Sequence, residues 1–181
     1  MKAKDNPFRV ERLHQLEYSF GNSELEWQNL LCRLRDLQWR GAILGPHGAG
    51  KTTLMTQIQQ RIEQLGIETS HLRLREDDLP CLKSMLKEWL AQSVSSQVLM
   101  LDSAGLLNFW NWQWLRLKTR HHAGIVITSH RAGRLPTLIR CETSPELLES
   151  LVNQLTAEQN CSEMVDVAKL HSLFHTFRQH T

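Results

Sequence analysis

The sequence predicts a three-layer α/β fold, a mainly parallel five-stranded sheet flanked by helices. Three observations carry this. Short, continuously apolar runs of the kind that fill strands buried on both faces alternate with stretches whose apolar residues recur at helical spacing. A glycine-rich turn joins the first apolar run to a long helical stretch. Several runs also end in polar residues, at the carboxyl ends of strands, where a parallel sheet places its ligand.

The elements follow in order. Residues 7–20 hold Phe8, Val10, Leu13, Leu16, Tyr18 and Phe20 in loose alternation and read as an extended lead-in. Ser23 is placed to cap a helix running to about Trp39, with Leu30, Leu31, Leu34 and Leu37 on its apolar side. Ala42-Ile43-Leu44 is the first strand. After the glycine turn, Leu54, Ile58, Ile62 and Leu65 mark a helix, and Gly66 stands where its C-cap belongs. Ile67 to Leu74 reads as a second strand. Asp78 is placed to cap a helix from Leu79-Pro80 to about Ser93, with the proline in its first turn. Val98–Leu101 is a third strand, residues 108–121 a tryptophan-rich helix, Gly124–Ile127 a fourth strand and Thr137–Cys141 a short fifth. Ser144-Pro145 opens a helix to about Leu155, and Met164, Val167, Leu170, Leu173, Phe174 and Phe177 mark a last amphipathic one over 163–178.

With 181 residues the chain reads as a single domain, 1–181, comprising a lead-in and helix (1–39), a core (40–142) and C-terminal helices (143–181). Its 21 Lys+Arg against 19 Asp+Glu give a net charge of +2, which demands neither a nucleic-acid nor a membrane partner; nucleic acid stays open without support. Cys32, Cys81, Cys141 and Cys161 contain no C-x-x-C pair and read as reduced thiols, which with the lack of an apolar signal core near Met1 predicts a cytoplasmic protein with no membrane span.

Residues Gly45-Pro46-His47-Gly48-Ala49-Gly50-Lys51-Thr52 spell G-x-x-x-x-G-K-[ST]. Each position has a mechanism. The glycines allow a tight turn whose backbone N–H groups converge on β-phosphate oxygens, Lys51 reaches the β- and γ-phosphates, and the Thr52 hydroxyl binds Mg²⁺. The helix that follows, with Thr53 in its first turn, adds the positive end of its dipole. Strand, loop and helix stand in the required order, so a nucleotide is the predicted ligand. The motif is that of the P-loop NTPases. Val98–Leu101 then ends in Asp102, the apolar-run-then-Asp pattern called Walker B, in which the acid holds Mg²⁺ across from Thr52. The plainer reading of Asp102 is a helix-capping residue.

The fourth strand ends in Thr128-Ser129-His130-Arg131. Here the chain resembles the additional-strand class of P-loop ATPases, which includes the AAA, RecA-like and ABC families. The resemblance covers about residues 40–142. It implies a strand inserted between the P-loop and Walker B strands, with a polar tip at Thr128, Ser129 or His130 that senses the γ-phosphate. His130 is also similar to the switch histidine of ABC ATPases, but no LSGGQ-like signature is present. Most AAA and ABC members follow the Walker B aspartate with a catalytic glutamate, whereas Asp102 is followed by Ser103-Ala104. This is more similar to RecA-type proteins, where the acid comes from the end of the preceding strand. That makes Glu76 the candidate water-positioning base, against the alternative of a solvated acidic turn.

Arg131 and Arg134 are candidates to stabilise charge on a transferring phosphoryl group, in cis or across subunits, or else form a plain basic turn. Arg178 falls only loosely where AAA proteins place a second sensor arginine. In the cluster Phe109, Trp110, Trp112 and Trp114, residues 110 and 114 share a face. Sheet packing accounts for one face, and the remaining tryptophan is available to a partner or to a nucleic-acid base.

The expected function is therefore ATP binding with Mg²⁺ and hydrolysis that drives a conformational change or the action of an unidentified protein partner. Two other readings stay open: a small-molecule or nucleotide kinase with an Arg131/Arg134 lid, and a non-hydrolysing nucleotide-dependent interaction module. The single short helix expected between residues 75 and 97 leaves little room for a kinase's acceptor pocket. No N/T-K-x-D element for guanine occurs, so ATP is the default nucleotide.

Overall fold

The computed structural model describes residues 24–141. The extended lead-in, the Ser23 cap, the two C-terminal helices and Arg178 lie outside the described residues.

The elements are α1 (Glu24–Asp36), β1 (Arg40–Leu44), α2 (Lys51–Gln64), β2 (Thr69–Arg73), α3 (Leu82–Gln92), β3 (Val98–Asp102), α4 (Phe109–Lys118), β4 (Gly124–Ser129) and β5 (Thr137–Arg140), with short 3₁₀ turns at Glu76–Cys81, Ala104–Leu106 and Thr119–His121. All strand pairs are parallel, in the order β2-β3-β4-β1-β5. The three central strands explain the continuously apolar runs. Every residue of β3 and β4 is buried, as are four of the five in β1. Alternation then divides the core. Ala42, Leu44, Leu99, Leu101, Ile125 and Ile127 form one cluster with Leu82, Leu86 and Trp89 of α3 and Trp112 and Leu115 of α4. Ile43, Met100 and Val126 point the other way, toward the face that α2 covers with Leu54, Met55, Ile58 and Ile62. Among the described residues no helix is long and apolar enough to cross a membrane.

Three boundaries and one buried face differ from expectation. Helix α1 stops at Asp36 because Gln38 and Trp39 both take positive φ (53° and 58°), and their N–H groups close back onto the Arg35 and Leu34 carbonyls. Strand β2 begins only at Thr69 and is half-buried, because it is a sheet edge. Pro80 sits in the 3₁₀ turn before α3. There Asp78 accepts a hydrogen bond from the Arg75 N–H (2.8 Å) and so caps that turn, not the α-helix. In α4 the buried tryptophan is Trp112, while Trp110 (78% exposed) and Phe109 (64%) meet edge to face at the surface.

Gly124 marks a tight junction. The turn at Trp39 lies so close to the start of β4 that a Cβ on Gly124 would stand 2.3 Å from Trp39 Cβ and 2.4 Å from its carbonyl oxygen. Ile125 N–H also donates to that carbonyl (2.8 Å). Gly124→Ala must move backbone on one side, and we expect a loss of about 3 kcal/mol. Urea unfolding measures it, and a loss below ~0.5 kcal/mol would show that the junction yields freely.

Candidate functional site

The polar ends of β1, β3 and β4 stand side by side, because β4 lies between the other two. Leu44 is in register with Ser129, and Gly45 N–H donates to the Ser129 carbonyl (3.3 Å). The loop Gly45–Thr52 leads directly into α2. Gly48 and Gly50 adopt left-handed φ values of 74° and 73°, which non-glycine residues resist. Gly50 provides no side-chain cap and the first turn of α2 carries no acidic residue. The backbone N–H groups of that turn are thus not satisfied by the helix's own side chains, the condition for anion binding at a helix start. Pro46, His47 and Gly48 are exposed, Ala49 is buried, and Gly50, Lys51, Thr52 and Thr53 are half-buried.

Asp102 is the hub. It is only 2% exposed, and both its oxygens are engaged. Thr128 donates to Oδ1 (2.5 Å) and Thr52 donates to Oδ2 (2.9 Å). Arg73 Nε, from the end of β2, lies 3.5 Å from the same Oδ2. Thr128 Oγ1 in turn accepts the Ser103 N–H (2.8 Å), and Ser103 takes a left-handed conformation (φ 62°) as the chain leaves β3. A partly buried chain of hydrogen bonds thus runs from the glycine-rich loop through Asp102 to the tip of β4.

The Thr52 hydroxyl uses its proton toward Asp102, leaving its lone pairs for a cation. A hydroxyl and a carboxylate are the hard oxygen donors that suit Mg²⁺. Among the described residues no group of three His, Cys, Asp or Glu side chains is arranged to hold a metal alone.

Lys51 donates to the Pro46 carbonyl (2.5 Å), so its ammonium lies within the loop. Burial lowers its pKa, while the charges of Cys141 and Asp102 act in the opposite direction. His130 reaches over the loop: Nδ1 is 3.0 Å from the Gly45 carbonyl and 3.5 Å from Lys51 Nζ, and its ring lies 3.8 Å from that of His47. A carbonyl only accepts, so Nδ1 carries the proton and the Lys51 contact is proximity without a bond. Burial and then the Lys51 charge hold His130 below the ordinary histidine range, so it faces the loop neutral.

The remaining candidates are placed as follows. The Ser129 hydroxyl donates to the Arg131 carbonyl (2.9 Å) and accepts the Arg131 N–H (3.2 Å), which braces the turn. Arg131 and Glu76 are exposed, and Glu76 opens the 3₁₀ turn three residues beyond Arg73. Arg134 is tied down: it donates to the Leu107 carbonyl and its guanidinium lies 5.3 Å from the Trp112 ring centre. Two contributions were missed from sequence, the His47 ring against His130 and Arg73 against Asp102. Only the place of Arg73 at a strand end signalled the latter.

His71, His122 and His130 share one consequence. Each is held below the usual range, with burial the leading cause. His122 has its Nδ1 buried without a partner, while Nε2 meets the Ser93 hydroxyl (3.1 Å). Because the folded state resists protonation, the unfolded chain takes up more protons once pH falls below about 6.5. Stability contributed by these histidines is full above that pH and declines below it. The thermal midpoint is expected to drop between pH 7 and 5.5, and a flat profile there would contradict these environments.

No protein-family model matches the sequence, and no curated protein matches it. The fold is similar to a solved structure of a DNA replication initiation factor, with a TM-score of 0.56 and 14% sequence identity over 89% of this chain. The match spans 63% of that structure's chain. At this identity the likeness is one of fold alone, the α/β architecture that in this chain has five parallel strands flanked by helices.

Proposed function

We propose that this chain is an ATP-binding P-loop NTPase of the additional-strand, AAA- or RecA-like type, one domain over 1–181. It binds ATP with Mg²⁺ at Gly45–Thr53 and hydrolyses it to drive a conformational change or a partner interaction in the cytoplasm. The observation that carries this reading is the hydrogen-bonded chain Thr52–Asp102–Thr128, which links the loop through the metal-side acid to the strand between them. Lys51 and the loop N–H groups bind the phosphates, Thr52 and Asp102 hold Mg²⁺, and the ion polarises the γ-phosphate when bound. The neutral His130 and the Ser129-braced turn with Arg131 act as the γ-phosphate sensor. Glu76 is the candidate base for water.

A second reading, a nucleotide-dependent interaction module that does not hydrolyse, is favoured by the residue at the end of β2. Arg73, not a carboxylate, is in register with Asp102 there. Phosphate release from ATP with Mg²⁺ by the purified protein separates the two: turnover supports the first, and tight binding without release supports the second. If turnover occurs, an unchanged rate in Glu76→Gln removes that residue as base. The likeness to a replication initiation factor is a reason to include single-stranded and duplex DNA among the first partners tested for stimulation. The open rings of Phe109 and Trp110 are a natural contact for such a partner.

A further inference from the structure

The metal-side carboxylate has a cation of its own. Strand β2 ends at the sheet edge with Arg73 opposite Asp102, and the two strands run in register for five residues up to that pair. The Arg73 side chain is 48% exposed while Asp102 is 2% exposed, so a largely free guanidinium reaches down to a buried acid. It does so at Oδ2, the oxygen that also accepts the Thr52 hydroxyl. The other oxygen is committed to Thr128.

We propose that Arg73 is a resident counter-ion that competes with Mg²⁺ for Asp102 Oδ2, so that Mg²⁺ is admitted to the nucleotide site only when the arginine lets go. This deepens the ATP-binding reading and rests on it. An ion held by the Thr52 hydroxyl and Asp102 would stand close to that guanidinium, which shares the same Oδ2. At that range the repulsion between a single and a double positive charge outweighs a half-exposed ion pair. The guanidinium has somewhere to go, since its stem leaves an edge strand into solvent, whereas Thr52 and Thr128 are fixed by α2 and β4. The charge balance points the same way. Lys51 at the loop and Arg73 beside it are the cations set near Asp102. Such a site favours an anionic nucleotide by itself and resists the metal, the reverse of a site with a second carboxylate at the end of β2.

The test reads Mg²⁺ dependence directly. A fluorescent ADP analogue is bound to the full chain in chelator, and Mg²⁺ is then titrated in. Arg73→Ala and Arg73→Gln are expected to lower the Mg²⁺ midpoint about fivefold, without tightening Mg²⁺-free binding, while Arg73→Lys keeps the charge and stays near the wild-type midpoint. Thermal melts of the variants confirm folding, and because Arg73 is half-exposed the Gln variant, which keeps most of the stem, reports even if the Ala variant is weakened. A midpoint in Arg73→Ala equal to or above wild type, with nucleotide binding intact, overturns the competition alone. A wild-type chain that does not bind the analogue at all overturns the phosphate-site reading and this proposal with it.

Discussion

Lys51→Ala is expected to lower ATP affinity by about 2–5 kcal/mol, roughly thirtyfold to several-thousandfold, with little change in folding stability. The asymmetry comes from the contacts of the ammonium. In the protein alone it is half-buried and donates to one backbone carbonyl, that of Pro46, which solvent can satisfy at the exposed loop. Bound to nucleotide it would face the β- and γ-phosphates in a partly desolvated loop, where losing one member of a charge pair leaves the other uncompensated. Burial already lowers its pKa, and an arriving phosphate reverses that by rewarding the charged form. Isothermal titration with ATP in chelator and in Mg²⁺ measures the loss. Tight binding retained by the variant would sink the assignment of the loop.

The second large effect is at Asp102, where two substitutions separate structure from ligand. Asp102→Ala removes the acceptor for the Thr52 and Thr128 hydroxyls and the partner of Arg73 in one step. The Thr128 hydroxyl is then buried without its acceptor, and we expect a loss of about 2–3 kcal/mol of stability. Asp102→Asn keeps an oxygen and nearly the same shape, so most of that stability returns. Its charge does not, and any gain in nucleotide affinity due to Mg²⁺ is expected to vanish in both variants. Urea unfolding and nucleotide titrations with and without Mg²⁺ resolve the two effects. An Asn variant that binds Mg²⁺-nucleotide as well as the wild type would remove Asp102 from the metal site.

What the sequence made legible was local or strongly periodic. The glycine-rich loop is contiguous, so its turn, its glycines and the start of α2 were readable residue by residue, and Gly66, with its left-handed φ of 79°, follows the end of α2 where a C-cap glycine was expected. The buried strands β1, β3 and β4 were readable because both their faces are covered. Burial on α4 was not readable, since that helix carries large apolar residues all round and periodicity alone does not choose Trp112 over Trp110. The end of α1 was hidden because Gln38 and Trp39, not glycines, take the left-handed turn. The Arg73–Asp102 pair depends on which strands are neighbours and in what register, a non-local fact. Similarly, three polar residues at the tip of β4 looked interchangeable until their hydrogen bonds sorted Thr128 toward Asp102, Ser129 toward its own turn and His130 toward the loop.

The strand order also bears on how the molecule is made. Among the described residues the strand that carries the glycine-rich loop pairs with β4 and β5: Arg40 with Ile125, Ala42 with Thr137. Both partners are the last strands of the sheet in chain order, while β2 and β3 assemble at the far side. During synthesis β1 therefore emerges early and waits, with its apolar edges unpaired, until β4 has left the ribosome. Parallel pairings of this span close large loops before they are rewarded, which slows folding and prolongs exposure of sticky strands. The loop Gly45–Thr52 is consequently among the last parts of this sheet to be held in place, and a nascent chain that stops before residue 124 carries the whole glycine-rich motif without the strand that holds it in shape.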